Sequence, residues 1–198
     1  QANVSDNPTW DQAMNGPDAV EYMKAAEKEI NTLVNDKDAW EVVTREDWMN
    51  VLPSTWVFKC KRRPDESIKK YKARFCAGGH RQVENVDYFE TFAPVVNWTT
   101  VRLMLVLSII LGLATQQLDY TAAFVQAPID RSPDWDKMTP EEQDRSGVYV
   151  QMPRGFSQPG KVLKLKKSLY GLKQSPRNFF QFLKSKLEGV GFQQCQDV

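Results

Sequence analysis

One histidine, three cysteines without paired spacing and ten glycines among 198 residues leave few familiar catalytic arrangements open. There is no glycine-rich dinucleotide fingerprint and no phosphate loop ending in Gly-Lys-Ser/Thr. A Ser-His-Asp arrangement would depend on His80, and no nucleophile motif accompanies it. Cys60, Cys76 and His80 lack both a Cys-x-x-Cys pair and a fourth ligand, so zinc is set aside and His80 reads as a surface or loop residue. The odd cysteine count argues against a disulfide scaffold and for a reducing compartment. The most apolar run, residues 101–114, carries Arg102 and is too short to cross a bilayer. The polar opening residues predict no export signal. The expectation is an intracellular, soluble chain that is not secreted and has no membrane partner.

What is present suits one domain with a real core: 41% of residues are hydrophobic and 11% aromatic. A net charge of +1 conceals strong segregation. Residues 1–50 hold 11 acids against 4 bases, and residues 59–81 hold 9 bases against 2 acids. Residues 82–160 return to 10 acids and 5 bases, and residues 161–188 carry 8 bases and 1 acid. Two basic blocks around an acidic one suit a polyanion partner with acidic groups nearby for metal; solvated charged surface is the alternative.

Residues 17–35 are predicted to form an amphipathic helix with Tyr22, Met23, Ala26, Ile30, Leu33 and Val34 on one stripe, opened by Pro17 and Asp18. Packing is its expected role. A short strand is predicted over 40–43. Two more, over 56–63 and 68–77, meet at the turn-forming Pro64-Asp65-Glu66-Ser67. A period of two puts Lys59, Lys61 and Arg63 on one face, and Lys70, Lys72 and Arg74 on one face of the partner. Tyr71, Ala73 and Phe75 point the other way. Such a hairpin suits a phosphate-handling flap, or is an edge hairpin guarded by lysines.

Asn97 is predicted to cap a helix over 99–113, apolar nearly all round and therefore buried. Residues 116–120 read as a strand delivering Asp119 from an apolar setting and packing on that helix and on one over 176–188. Residues 130–147 read as a polar surface insertion with a capping box at Thr139. Strands are predicted over 148–152 and 162–165. Ser175-Pro176 starts a final helix that Gly189 stops, with Phe179, Phe180, Leu183 and Leu187 along it. Helices and strands mix without strict βαβ alternation, so the class is α+β.

Three segments remain. The first is Trp56-Val57-Phe58-Lys59, then Tyr71-Lys72-Ala73-Arg74, then Glu90-Thr91-Phe92-Ala93-Pro94-Val95. The second is Leu118-Asp119-Tyr120-Thr121-Ala122-Ala123-Phe124. The third is Ser168-Leu169-Tyr170-Gly171-Leu172-Lys173-Gln174-Ser175-Pro176-Arg177. In this order and spacing, from about Trp10 onward, the chain resembles the reverse transcriptase of copia-type LTR retrotransposons.

That resemblance implies the fingers and partial palm of a right-hand polymerase, with a small antiparallel sheet. Residues 1–16 would be an N-terminal extension and 17–198 the fingers plus an incomplete palm. It implies primer extension by two-metal nucleotidyl transfer, with Mg²⁺ or Mn²⁺ as cofactor. Asp119 is the implied catalytic metal ligand, with the Tyr120 carbonyl beside it; a turn or cap aspartate is the alternative. Ala122 and Ala123 would let the backbone approach a triphosphate, and Phe124 would exclude a ribose 2′-hydroxyl unless it is a core residue. Lys72 and Arg74, with Lys61 and Arg62 in a register ambiguous by one residue, would bind the triphosphate. Gln174 would touch the nucleotide, and Gly171, Lys173, Pro176 and Arg177 the template and primer. The implied partners are an RNA or DNA template with primer, deoxynucleoside triphosphates, and the thumb and RNase H portions of a Pol polyprotein, in a cytoplasmic particle or the nucleus.

The family also carries an aromatic-x-Asp-Asp motif soon after the third segment, and no such string occurs in this sequence. The expectation is that the chain by itself does not extend primers. A catalytically inert remnant that still binds nucleic acid or nucleotide is the other outcome.

Overall fold

The structure, a computed structural model, describes residues 6–194. The first five residues of the expected extension and the last four of the expected 17–198 unit lie outside the described residues. The class is mixed α+β with two small sheets.

The core assembles on the hairpin. Strands β3 (Ser54–Arg62) and β4 (Ile68–Ala77) pair antiparallel, with Trp56 opposite Phe75 and Phe58 opposite Ala73. Alternation sends Trp56, Phe58, Cys60, Ala73 and Phe75 inward, all buried. Helix α2 (Ala19–Asn31), prolonged by a wider π turn over Thr32–Asp36, lays Tyr22, Ala26 and Leu33 on that face. Tyr22 meets Phe58 edge-on at 5.3 Å and Tyr71 at 4.8 Å. Burying each of these large side chains is worth roughly 1.5–3 kcal/mol. Helix α1 (Trp10–Met14) opens with a complete capping box at Thr9 and stacks Trp10 on Trp56 at 6.1 Å. Residues 10–14 are thus built into the packed body.

The second sheet has β1 (Trp40–Thr44), β2 (Val51–Leu52), β5 (Tyr149–Gln151) and β6 (Lys161–Leu165) in the order β1-β6-β5-β2. The β1–β6 and β5–β6 pairs are antiparallel, but β2 runs parallel to β5. The β3–β4 sheet is antiparallel as expected, whereas the four-stranded sheet is corrected to a mixed one by the parallel β2–β5 pair. Ahead of β5 in the chain, the polar insertion forms helix α4 (Pro140–Arg145) with the capping box at Thr139. Helix α5 (Ser175–Glu188) runs from the expected start to Gly189.

Two expectations fail. Helix α3 (Trp98–Ile110) forms and Asn97 caps it, but none of its residues is buried. Apolar side chains on every face require cover on every face, and no described element encloses it. Residues 116–120 form no strand, because no described strand lies alongside to share its ladder. Leu118 is 70% exposed, and Asp119 sits on an exposed extended segment. Of the packing expected there, the Tyr120 ring against Phe179 of α5, at 5.7 Å, is what forms.

Candidate nucleic-acid interface

The outer face of the hairpin is cationic: the register sets Lys59 opposite Lys72 and Lys61 opposite Lys70, with Arg74 opposite Val57. The ladder shifts between Lys61 and Arg62. One step along β3 turns Arg62 away from Lys61, and its Nε donates to Asp6 at 3.0 Å and its Nη1 to the Glu66 carbonyl at 3.0 Å. The one-residue ambiguity resolves in favour of Lys61 as a member of the cationic face.

Beside that face lies a cleft of about 290 Å³ between α2, β4 and two loops. Lys70, Lys72 and Arg74 line it from β4, Lys28 and Glu29 from α2, and Thr121, Ala122 and Tyr170 from the loops. Four separate stretches of the sequence thus converge on one cavity. The Arg74 guanidinium lies over the Tyr170 ring, 5.2 Å from its centroid. Tyr170 is tied to β4 through a bridge at Cys76 and accepts the Ala77 N–H at 2.8 Å. Phe124 packs against the same ring at 5.2 Å, and Phe124 meets Phe179 at 6.4 Å. Ala122 has φ +50°, strained for a residue with a Cβ and a common mark of functional loops. Ala123 caps the short turn that carries Phe124.

The electrostatics follow from burial. Desolvation, then the like charges of Arg74, Lys61 and Lys70, lowers the Lys72 ammonium below the usual lysine range, against the pull of Glu29. Burial pushes Glu29 up, while the Phe75 amide, Lys72 and Arg74 draw it down. The Tyr170 hydroxyl is raised by burial, opposed by Arg74, with Glu29 and Asp119 adding to the rise.

A second group lies at the start of α5. Gln174 is fully buried: its Oε1 accepts from Gln82 at 2.8 Å and its Nε2 donates to the Asp87 carbonyl at 2.8 Å. Its amide faces inward and is used up within the chain, which corrects the expectation that it touches a nucleotide. Gln82 in turn accepts the Lys173 N–H at 2.8 Å. The Asp87 carboxylate accepts from Asn50 at 2.6 Å and from the Val83 N–H at 2.7 Å. Lys173 Nζ lies 4.7 Å from the centroid of the Tyr88 ring, and Arg177 pairs with Glu90 at 2.7 Å. Gly171, at φ +92°, brings its backbone against Ala77, where a Cβ would strike the Ala77 carbonyl oxygen. Pro176 occupies the first turn of α5.

Asp119 and Tyr120 do not line the cleft themselves, although Thr121 beside them does, the Tyr120 ring meets Phe179, and the Asp119 charge is felt at Tyr170. Among the described residues no three His, Cys, Asp or Glu side chains gather as a metal site. One exposed carboxylate and a backbone carbonyl do not make up a two-metal donor set, so the described residues do not by themselves fit a divalent-ion centre.

Glu29 and Lys28 were not singled out in the sequence. The available signal was positional: Glu29 stands seven residues after Tyr22 and three after Ala26, a carboxylate on an apolar stripe. Tyr170 was visible only as part of its segment.

Comparison with known proteins matches residues 37–198 to the family described as reverse transcriptase (RNA-dependent DNA polymerase). The chain is 33% identical over 181 residues to the Retrovirus-related Pol polyprotein from transposon TNT 1-94 of Nicotiana tabacum, covering 88% of this chain and 12% of that protein. It is 32% identical over 175 residues to the corresponding polyprotein from transposon RE1 of Arabidopsis thaliana, covering 86% and 11%. Against the Transposon Ty1-ER2 Gag-Pol polyprotein of Saccharomyces cerevisiae it is 30% identical over 175 residues, covering 84% and 8%. The chain thus spans about an eighth or less of the length of these curated relatives. No solved structure matches it. With a family match over most of its length and copia-type Pol polyproteins as relatives, the chain belongs to the reverse transcriptase (RNA-dependent DNA polymerase) family.

Proposed function

We propose that this chain receives the incoming deoxynucleoside triphosphate, and the adjoining template and primer, in the RNA-directed DNA polymerase of a retrotransposon Pol polyprotein. The supporting observation is the cleft where Lys72 and Arg74 meet Ala122 and Tyr170. Lysines set directly opposite one another across a hairpin cost stability, which a bound polyanion would offset. The β3–β4 hairpin acts as the fingers, and the rest of 17–198 contributes to an incomplete palm.

In this reading Lys72 and Arg74 hold the phosphates, with Lys61 at the rim. The backbone at Ala122 and Ala123 approaches the triphosphate, and Phe124 bars a 2′-hydroxyl. Gly171, Lys173, Pro176 and Arg177 lie along template and primer, and Gln174 holds that segment in place. Arg62 ties the hairpin to the chain's start. Reverse transcriptases generally use divalent metal ions; Mg²⁺ or Mn²⁺ is the expected choice, and Asp119 with the Tyr120 carbonyl is our candidate contribution to a donor set completed elsewhere. The thumb and RNase H portions of Pol are the expected partners, in an intracellular particle or the nucleus. No helix among the described residues is long and apolar enough to cross a membrane.

The isolation of Asp119 favours a second reading, an inert module that only binds nucleic acid. Primer extension by a Pol polyprotein carrying this domain separates the two. Activity is expected, and a Lys72→Ala, Arg74→Ala double variant should raise the KM for deoxynucleotides by about tenfold or more while changing duplex affinity much less. Equal losses for both ligands make the hairpin a general cationic surface. Binding with a steep salt dependence but no extension supports the inert module.

A further inference from the structure

The carboxylate of Glu29 enters the cleft from α2, a helix that precedes the residues matched to the family. Around it stand Lys28 on its own helix, Lys70, Lys72, Arg74 and Cys76 on β4, and Tyr170 from the loop before α5. Among the described residues Glu29 forms no close ion pair, whereas Glu21 pairs with Lys24 on the same helix. The Phe75 amide of β4, Lys72 and Arg74 all act to favour the charged form of Glu29. The cleft therefore holds one negative charge set among four cations. A phosphate chain entering it meets attraction from β4 and repulsion from α2 in the same cavity. At distances of a few ångströms in a partly desolvated site, one such charge is large enough to change affinity several-fold.

We propose that Glu29 is the resident counter-charge of the cleft: it limits affinity for a polyphosphate and takes up a proton from solvent when one binds. The inference rests on the reading of the cleft as a phosphate site. Its direction follows from charge. An incoming polyanion raises the proton affinity of the carboxylate and of the Lys72 ammonium, so binding draws protons in. Glu29 starts from a proton affinity already raised by burial, which brings that uptake toward neutral pH.

The test is calorimetric titration of the full chain with inorganic tripolyphosphate, in two buffers of different ionisation enthalpy. Glu29→Gln keeps the side chain's size and an acceptor oxygen and removes the charge. At about pH 8 it should bind about fivefold more tightly than the wild type, with the gap closing toward about pH 5. It should also take up less proton on binding. Glu29→Asp keeps the charge and should retain the wild-type pH profile. If Glu29→Gln instead binds more weakly at every pH, or matches the wild type in affinity and proton uptake, Glu29 is only a structural cap and the proposal fails. Such a result leaves the cleft reading standing if Lys72→Ala still weakens binding. Absence of tripolyphosphate binding by the wild type defeats both.

Discussion

The guanidinium of Arg74 rests on the ring of Tyr170, 5.2 Å from its centroid, and so joins the hairpin to the loop that carries Gly171. Because the same ring touches Phe124, one side chain sets the distance between the cationic strand and the Asp119 segment. Tyr170→Ala should release Arg74 and weaken triphosphate binding by about tenfold, the scale of a partly desolvated cation–π contact. Tyr170→Phe keeps the ring and should stay within about twofold. Titration calorimetry on the two variants checks this, and equal losses would show that the hydroxyl matters more than the face.

Asp119→Asn removes charge while keeping shape. In a Pol polyprotein carrying this domain it should cut primer extension by about two orders of magnitude or more, which corresponds to roughly 3 kcal/mol of transition-state stabilisation. Duplex affinity should hardly change. Retained extension means another carboxylate does the work.

Gln174→Ala removes the acceptor of Gln82 and the closer donor to the Asp87 carbonyl in a sealed site, leaving those two only the longer 3.4 Å bond from Gln82 Nε2 to the Asp87 carbonyl. The cost should be about 1–3 kcal/mol in urea denaturation, with m unchanged. Lys173, whose N–H is held by Gln82, should lose its fixed position, so nucleic-acid binding should fall as well.

Burial raises Asp87 above the ordinary carboxylate range, while Val83, Asn50 and Lys173 pull it down. Its folded state thus keeps a proton to higher pH than the unfolded chain does. The stability this confers is complete below the ordinary carboxylate range and is lost as pH rises through the raised value. Measured as wild type minus Asp87→Asn, folding stability should decline over that window. A flat difference would show that the hydrogen bonds cancel the burial.

Much of this was legible in the sequence because it is local. The hairpin follows from alternation and a turn cluster, α5 from Ser175-Pro176 and Gly189, and α4 from the Thr139 capping box. The segments that meet in the cleft were visible as strings, but their meeting was not, since it depends on the Cys76–Tyr170 bridge between distant residues. Glu29 was hidden because a helix with a clear apolar stripe has a sufficient explanation in packing. The failures at α3 and at 116–120 share one cause. Apolar pattern reports that a segment seeks cover, not that the cover lies within the same chain, and a strand pattern likewise says nothing about whether a partner strand is there.

The abutment of Gly171 and Gly79 shapes which sequences this fold can reach. A Cβ on Gly171 strikes the Ala77 carbonyl oxygen, and a Cβ on Gly79 strikes the carbonyl oxygen of Gly171. Both obstacles are main chain, so no trimming of a neighbouring side chain makes room. Second-site suppressors of Gly171→Ala or Gly79→Ala should therefore be absent from a random-mutagenesis screen for restored folding, whereas suppressors of core truncations such as Phe58→Leu should be recovered. The two glycines form a dead end for drift: the lineage can vary around them but has no stepwise path through them.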